Sequence, residues 1–255
     1  MAPSILWKAF DVLGTFSHRH RVLTLAQIAR HTGLPKSTVH RVLAMLTETG
    51  AVEQTEAGYR VGLRMFALGA LPPEAALREA ALVHLEKLHR YTSQTLHLAV
   101  LRGGDVVYLE KLPSRYGVPS PALVGDRLPA YCTAVGKVLL AHCGDAVTAA
   151  ALTGPWRPRT AKSLASAEQV LRQLESVRAD GLAVDREEAA EGLACVAVPV
   201  LVRGRAVAAV SVAFPASAGS GQVLVSPLRQ AAAAIARSPA VMHTDDLVAG
   251  RREHS

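Results

Sequence analysis

The sequence predicts an α+β protein in two domains: a small helical domain closed by a β-hairpin, then a larger domain of mixed sheet and helices. Three observations predict it. Apolar residues recur at helical spacing through residues 5–46. Two short extended runs then flank the polar turn Thr55-Glu56-Ala57-Gly58. From Thr95 onward the alternation shortens to a period of two, and such runs are interleaved with amphipathic helices. A chain of 255 residues, half of them hydrophobic, is long enough for two separate cores and is too apolar to be disordered.

Taken in order, residues 5–17 predict a first helix, with Leu6, Ala9, Phe10 and Leu13 on one apolar face. The cluster His18, Arg19, His20, Arg21 follows, read either as a solvated loop or as a phosphate contact. Residues 25–46, LAQIARHTGLPKSTVHRVLAML, predict two short helices around a tight turn. Thr24 and Gln27 form a capping box at the first of them. Ala29 allows close helix approach, Gly33 supplies a positive φ, and Val39 packs back onto the preceding helix. Val39, Val42, Leu43 and Leu46 make the buried face of the second helix. Lys36, Ser37, Thr38, His40 and Arg41 then face outward, the arrangement that lays a helix in a DNA major groove. Residues 51–54 and 59–62 predict a hairpin, which makes the motif a winged helix-turn-helix with Arg60 as a candidate phosphate contact.

Residues 63–71, LRMFALGAL, are apolar on several sides and predict a segment that packs against a second copy of the chain. Pro72-Pro73 marks a boundary. A helix over 74–91 follows, burying Leu77, Ala81, Leu85 and Leu88. Strands are predicted from Thr95 and over 105–111, joined at Gly103-Gly104, with His97 either packed on a sheet face or facing a ligand. Residues 112–130 are loop-like, and long loops over sheets often cover pockets. A helix over 134–142 is followed by a loop. A second helix then starts at a Ser166–Gln169 capping box and stops at Gly181. Strands over 182–185, 195–202 and 205–213 come next, with Pro199 marking an edge or bulge. A last helix starts at Ser226-Pro227, and residues 239–255 are expected to be a disordered tail.

The formal charge of +7 suits a polyanionic partner. The first 63 residues carry seven basic against four acidic side chains, so the case for DNA rests on placement rather than total charge. No stretch approaches the ~20 apolar residues of a membrane span. Lys8, Asp11 and His18 interrupt any signal-peptide pattern. Three irregularly spaced cysteines favour a reduced, cytoplasmic setting. His142 and Cys143 are adjacent and Cys132 lies off zinc-knuckle spacing, so no metal and no other cofactor is expected.

These residues resemble the IclR family of bacterial transcription regulators. The resemblance runs from about residue 5 to residue 238. It is carried by LTLAQIARHTGLPKSTVHRVLAMLTETGAVEQ, LPAYCTAVGKVLLA, Pro158-Arg159-Thr160, GLAVDREEAAEGLACVAVPV and AVAAVSVAFP, in order and at the family's spacing. It implies a winged helix-turn-helix DNA-binding domain over residues 1–63. A linker helix and dimerisation segment (64–73) and a mixed α/β, GAF-like effector-binding domain (74–238) follow. It also implies a homodimer or tetramer that binds double-stranded operator DNA and responds to a small organic or aromatic acid. The absence of a recognisable polymerase-contacting segment favours a repressor.

At the DNA site, Ser37, Thr38 and His40 are candidates for base edges and Lys36 for a phosphate, while Arg41 reads either a guanine or a phosphate. At the effector site, the unpaired N–H groups that open the helix at Thr133-Ala134-Val135-Gly136 suit a carboxylate, with Gly136 keeping the backbone open to it. The family's binding positions fall here on Ala134, Val135, Asp185, Cys195 and Ser211. Ala213 stands where a second serine is common, which favours a larger or less polar effector. The competing reading is an enzyme with an appended helical domain and Cys195 or Cys132 as nucleophile, for which His97 is the candidate base.

Overall fold

The computed structural model describes residues 4–115 and 118–242. The chain divides into two compact units between Pro72 and Pro73.

The first unit is built from α1 (Ile5–Leu13), α2 (Leu25–Thr32), α3 (Lys36–Glu48), β1 (Val52–Thr55), β2 (Gly58–Val61) and α4 (Leu63–Gly69). The capping box forms: Thr24 Oγ1 accepts from the Gln27 N–H and Gln27 Oε1 accepts from the Thr24 N–H. Gly33 ends α2 at φ 69°, a backbone conformation that a side chain would strain. Val12, Leu23, Ile28, Ala29, Val39, Val42, Leu43 and Val52 form the core. Helix α1 stops at Leu13, four residues short of the expected end, with Gly14 as its C-cap. Its buried residue is Val12, while Leu6 and Phe10 are exposed. Apolar residues surround this helix, so spacing alone does not select the face that packs. Leu23 pairs with Tyr59 through two backbone hydrogen bonds of 2.9 and 2.8 Å, adding a one-residue third strand to the wing.

The second unit comprises α5 (Pro73–Thr92), β3 (Thr95–Arg102), β4 (Asp105–Leu112), β5 (Arg127–Pro129), α6 (Ala134–Ala141), α7 (Asp145–Ala151), α8 (Ala167–Asp180), β6 (Ala183–Arg186), β7 (Leu193–Val202), β8 (Arg205–Pro215), α9 (Val225–Ala236) and α10 (Pro239–Met242). Six strands form one sheet in the order β5-β4-β3-β8-β7-β6. Every pairing is antiparallel, so the sheet is not mixed in direction. The reason is local: the turns at Gly103-Gly104 and Arg203-Gly204 are too short for a parallel crossover.

Both sheet faces are covered. Leu96, Leu98 and Val100 of β3 join Leu77, Leu85, Leu228 and Ile235 of α5 and α9. On the other face Ala99, Ala197, Ala209 and Ala213 meet Val138 and Leu139 of α6 and Leu174 of α8.

Three expectations need correction. Residues 145–151 form α7, not part of a loop, because Gly144 and Asp145 start a short Ala-rich helix. The Ser166 hydroxyl caps the Gln169 N–H, but Gln169 Oε1 accepts from Ala165, so only half of that capping box exists. Residues 239–242 are helical with Val241 fully buried, so the tail does not begin there. The remainder, 243–255, lies outside the described residues. Pro199 sits in the interior strand β7, just past the point where β6 ends at the Ala183–Ala197 pair, so its missing N–H breaks no β6 ladder.

Candidate functional site

Helix α3 begins after Pro35, which offers no side-chain cap. Val39, Val42 and Leu43 bury one face, and Lys36, Ser37, His40 and Arg41 lie exposed on another, with Thr38 half-buried. Among the described residues, the Lys36 and Arg41 side chains make no ion pair with the chain. Two unneutralised cations near the helix start therefore remain available to an anionic partner. Arg60 differs. On the wing it faces Glu53 in register and pairs with it at 2.8 Å. Glu53 also accepts from the Leu63 N–H, and that bond together with Arg60 holds its carboxyl below the usual range. A phosphate at Arg60 would have to compete with Glu53.

In the second unit, five of the six expected effector residues line one small cavity: Ala134, Val135, Asp185, Cys195 and Ser211. The sheet register brings them together. Cys195 stands opposite Asp185 on β6 and opposite Ala213 on β8, while Ser211 stands opposite His97 on β3. Helix α6 starts over this wall. Thr133 caps it by accepting from the Gly136 N–H at 3.1 Å, and the Ala134 and Val135 N–H groups keep no partner in the helix.

The sixth, Gly136, is not among the residues that line the cavity. A Cβ there would lie 2.2 Å from the Ala130 carbonyl oxygen and 2.4 Å from the Ala130 Cα. Its lack of a side chain lets α6 pack against the turn at Ala130–Cys132, and its N–H is already capped.

The cavity contains further polar groups. His97, left open between core and ligand, is buried in its wall. Its ring nitrogens lie 3.3 Å from Ser211 Oγ and 3.0 Å from Ser120 Oγ, so in the neutral imidazole one donates and the other accepts. Burial, with Lys111 nearby, lowers its pKa to about 3, so it carries no charge near neutral pH. The Tyr108 ring meets the His97 ring edge-on at 5.3 Å, and the Tyr108 hydroxyl makes no hydrogen bond among the described residues. Tyr108 lies two residues after Val106 on the same buried face of β4 and stands opposite Ala99, beside a bulge between Leu98 and Ala99. Ser120, Pro121 and Ala122 close the cavity from the long loop, held by Lys111 Nζ donating to the Ser120 and Ala122 carbonyls at 2.9 and 2.7 Å.

Asp185 is almost fully buried. Its Oδ1 accepts from the Glu188 N–H at 2.7 Å, and burial pushes its carboxyl up to about 7. Burial likewise raises the Cys195 thiol and takes Cys132 up to about 12. Neither thiol is poised as a nucleophile, and His97 bonds to serines rather than to either cysteine. Among the described residues no group of three or more His, Cys, Asp or Glu could hold a metal, and no helix is long and apolar enough to cross a membrane.

The free volume of the cavity is about 20 Å³, room for about one water. A ring-sized ligand therefore needs its walls to yield. A larger hollow of about 580 Å³ lies between α5 and α9, but it is open and no buried polar group lines it.

A winged helix with a bare cationic reading face, joined in one chain to an α+β domain with a polar internal cavity, defines a ligand-sensing transcription regulator. Residues 73–237 match the C-terminal domain of bacterial transcriptional regulator IclR, and residues 6–56 match the IclR helix-turn-helix domain. Among curated relatives, the regulator XynR of Escherichia coli (strain K12) is 36% identical over 201 residues, covering 76% of this chain and 78% of its own. The DNA-binding transcriptional repressor YiaJ of the same organism is 31% identical over 258 residues, covering 95% and 90%. A crystal structure of an IclR homolog from Microbacterium hydrocarbonoxydans complexed with 4-hydroxybenzoate superimposes with a TM-score of 0.83 at 30% identity, covering 91% of this chain and 97% of that one. The chain belongs to the IclR family of transcriptional regulators. Its relatives are regulators and not enzymes, which overturns the reading of Cys195 or Cys132 as a nucleophile.

Proposed function

We propose that this regulator is a cytoplasmic repressor, acting as a homodimer or tetramer, whose hold on operator DNA is released by a small aromatic acid. The observation that carries the reading is the cavity itself. Two unpaired N–H groups of α6, at Ala134 and Val135, face a wall made by Asp185, Cys195 and Ser211. The acid's carboxylate binds at the start of α6, where the helix dipole favours negative charge. Ala213, opposite Cys195 on the neighbouring strand, offers no hydroxyl, which suits a ring better than a small polyhydroxy acid. The unpaired Tyr108 hydroxyl suits a polar ring substituent. The structural relative's bound 4-hydroxybenzoate and the named repressor among the relatives support the class of effector and the sign of regulation.

On the DNA side, Ser37, Thr38 and His40 read base edges, Lys36 holds a phosphate, and Arg41 takes a guanine or a phosphate. Arg60 serves a phosphate only by giving up Glu53. Self-association is supported by the apolar side chains that the first unit leaves in water. Among them are Ile5, Leu6, Trp7 and Phe10 on α1, and Leu63, Phe66 and Leu68 on α4, which has no buried residue. Acid binding shifts the balance between dimer geometries that do or do not match two operator half-sites.

The test is a thermal-shift screen of carboxylic acids against the purified protein, repeated on a Ser211→Leu variant that fills the cavity. Stabilisation by aromatic acids that the variant loses is the expected result. No acid stabilising the wild type would overturn the effector reading.

A further inference from the structure

We propose that the cavity takes up one proton with each bound acid anion, and that Asp185 holds this proton and donates it in a hydrogen bond to the bound carboxylate. The inference rests on the reading of this cavity as an acid site.

Three buried charged groups set the balance. Lys137 and Asp185 are each 1% exposed and Glu188 is 6% exposed. Lys137 Nζ spends its three N–H bonds on Glu188 Oε1 at 2.6 Å, the Val184 carbonyl at 2.6 Å and Gln173 Oε1 at 3.0 Å. It therefore serves one carboxylate, and that carboxylate is Glu188. Asp185 is held by the backbone N–H groups of Glu188 and Ala189, and Lys137, bonded to Glu188, acts on it only through space; burial outweighs these contacts.

The groups that face Asp185 from the surrounding elements do not alter the balance. Cys195 on β7, Tyr108 on β4 and Cys132 before α6 can only become negative, and burial keeps each of them protonated. His97 on β3 is neutral. Arg159 is exposed, donates its Nε–H to the Ala189 carbonyl, and does not line the cavity.

An acid entering this cavity sets a second carboxylate beside Asp185 with no free ammonium or guanidinium between them. Two carboxyl groups in one desolvated site hold a proton between them. The α6 N–H groups stabilise the ligand's anion, so the proton stays on Asp185. Its O–H then points at the ligand oxygen. The balance is one acid anion and one solvent proton in, with Asp185 converted from carboxylate to carboxylic acid. Because burial already lifts the Asp185 carboxyl to about 7, the uptake belongs to the range above neutrality. Below it the proton is already bound and the affinity levels off.

The test is isothermal titration calorimetry of the full chain with 4-hydroxybenzoate, benzoate, phenylacetate and acetate. It is run at about pH 8 in two buffers of different ionisation enthalpy and repeated from about pH 6 to about pH 9. The expected result is close to one proton taken up per acid at the alkaline end, with Kd weakening towards tenfold per pH unit there. Asp185→Asn, which mimics the protonated carboxyl, is expected to bind with no proton uptake and a flat pH profile. Binding by the wild type with no proton uptake overturns the proposal and leaves the acid site standing. No binding of any of the four acids overturns the acid site and this proposal with it. If the variant does not fold, the proton count on the wild type still decides.

Discussion

Lys137 shows how far a residue's role can depart from its local appearance. In AVGKVLLA it reads as the one polar position of an apolar helix, yet it is buried and triply bonded to Glu188, Val184 and Gln173. Removing it leaves Glu188 charged, buried and alone, so Lys137→Ala is predicted to destabilise the second unit by about 3–5 kcal/mol in urea unfolding. The double variant Lys137→Met, Glu188→Gln, which removes both charges, should lose much less. Asp185 carries a pH signature in the same assay. Its carboxyl titrates at about 7 when folded, against about 3.9 when unfolded. Between those values the folded chain binds more protons than the unfolded one, so this residue's contribution to stability falls as pH rises and levels off above about 7. The difference between wild type and Asp185→Asn isolates that slope, and parallel profiles for the two would contradict it. On the reading helix, Arg41→Ala is predicted to weaken operator binding by about 1–3 kcal/mol if Arg41 contacts a base. An unchanged affinity would remove it from the site.

Elements were legible where their signals are local. Thr24 with Gln27, the glycines at 33 and 181, and the polar turn of the wing all act within a few residues, and the structure forms the caps, stops and hairpin they announce. What depended on distant partners was not legible. The packing face of α1 is chosen by α3, and His97 and Tyr108 meet in the cavity wall only through the pairing of β3 with β4. Gly136 was visible, but its reason was not, because Ala130 reaches it through a turn that periodicity does not describe. Gly136→Ala must push α6 off that turn. It is predicted to destabilise the second unit by about 1–3 kcal/mol and to weaken acid binding with it, read by urea unfolding and calorimetry. Helix α4 poses the opposite case, with its apolar side chains in water. Phe66→Glu is predicted to shift sedimentation equilibrium toward monomer, and an unchanged assembly state would place the interface elsewhere.

For the molecule as a whole, one chain is proposed to read DNA and to change how tightly it does so when an acid fills its cavity. The measurement that tests this most directly is fluorescence anisotropy of the purified protein on the DNA flanking its own gene. Random DNA serves as control, at several salt concentrations and with increasing aromatic acid. Tight binding to the flanking DNA with a steep salt dependence, and weak binding to random DNA, is the expected result. Release is expected over the concentration range in which the same acid fills the cavity. Equal, weak binding to both DNAs would contradict the operator reading at that locus. Tight binding that stays unchanged while calorimetry shows the cavity filled would contradict the coupling between the two sites.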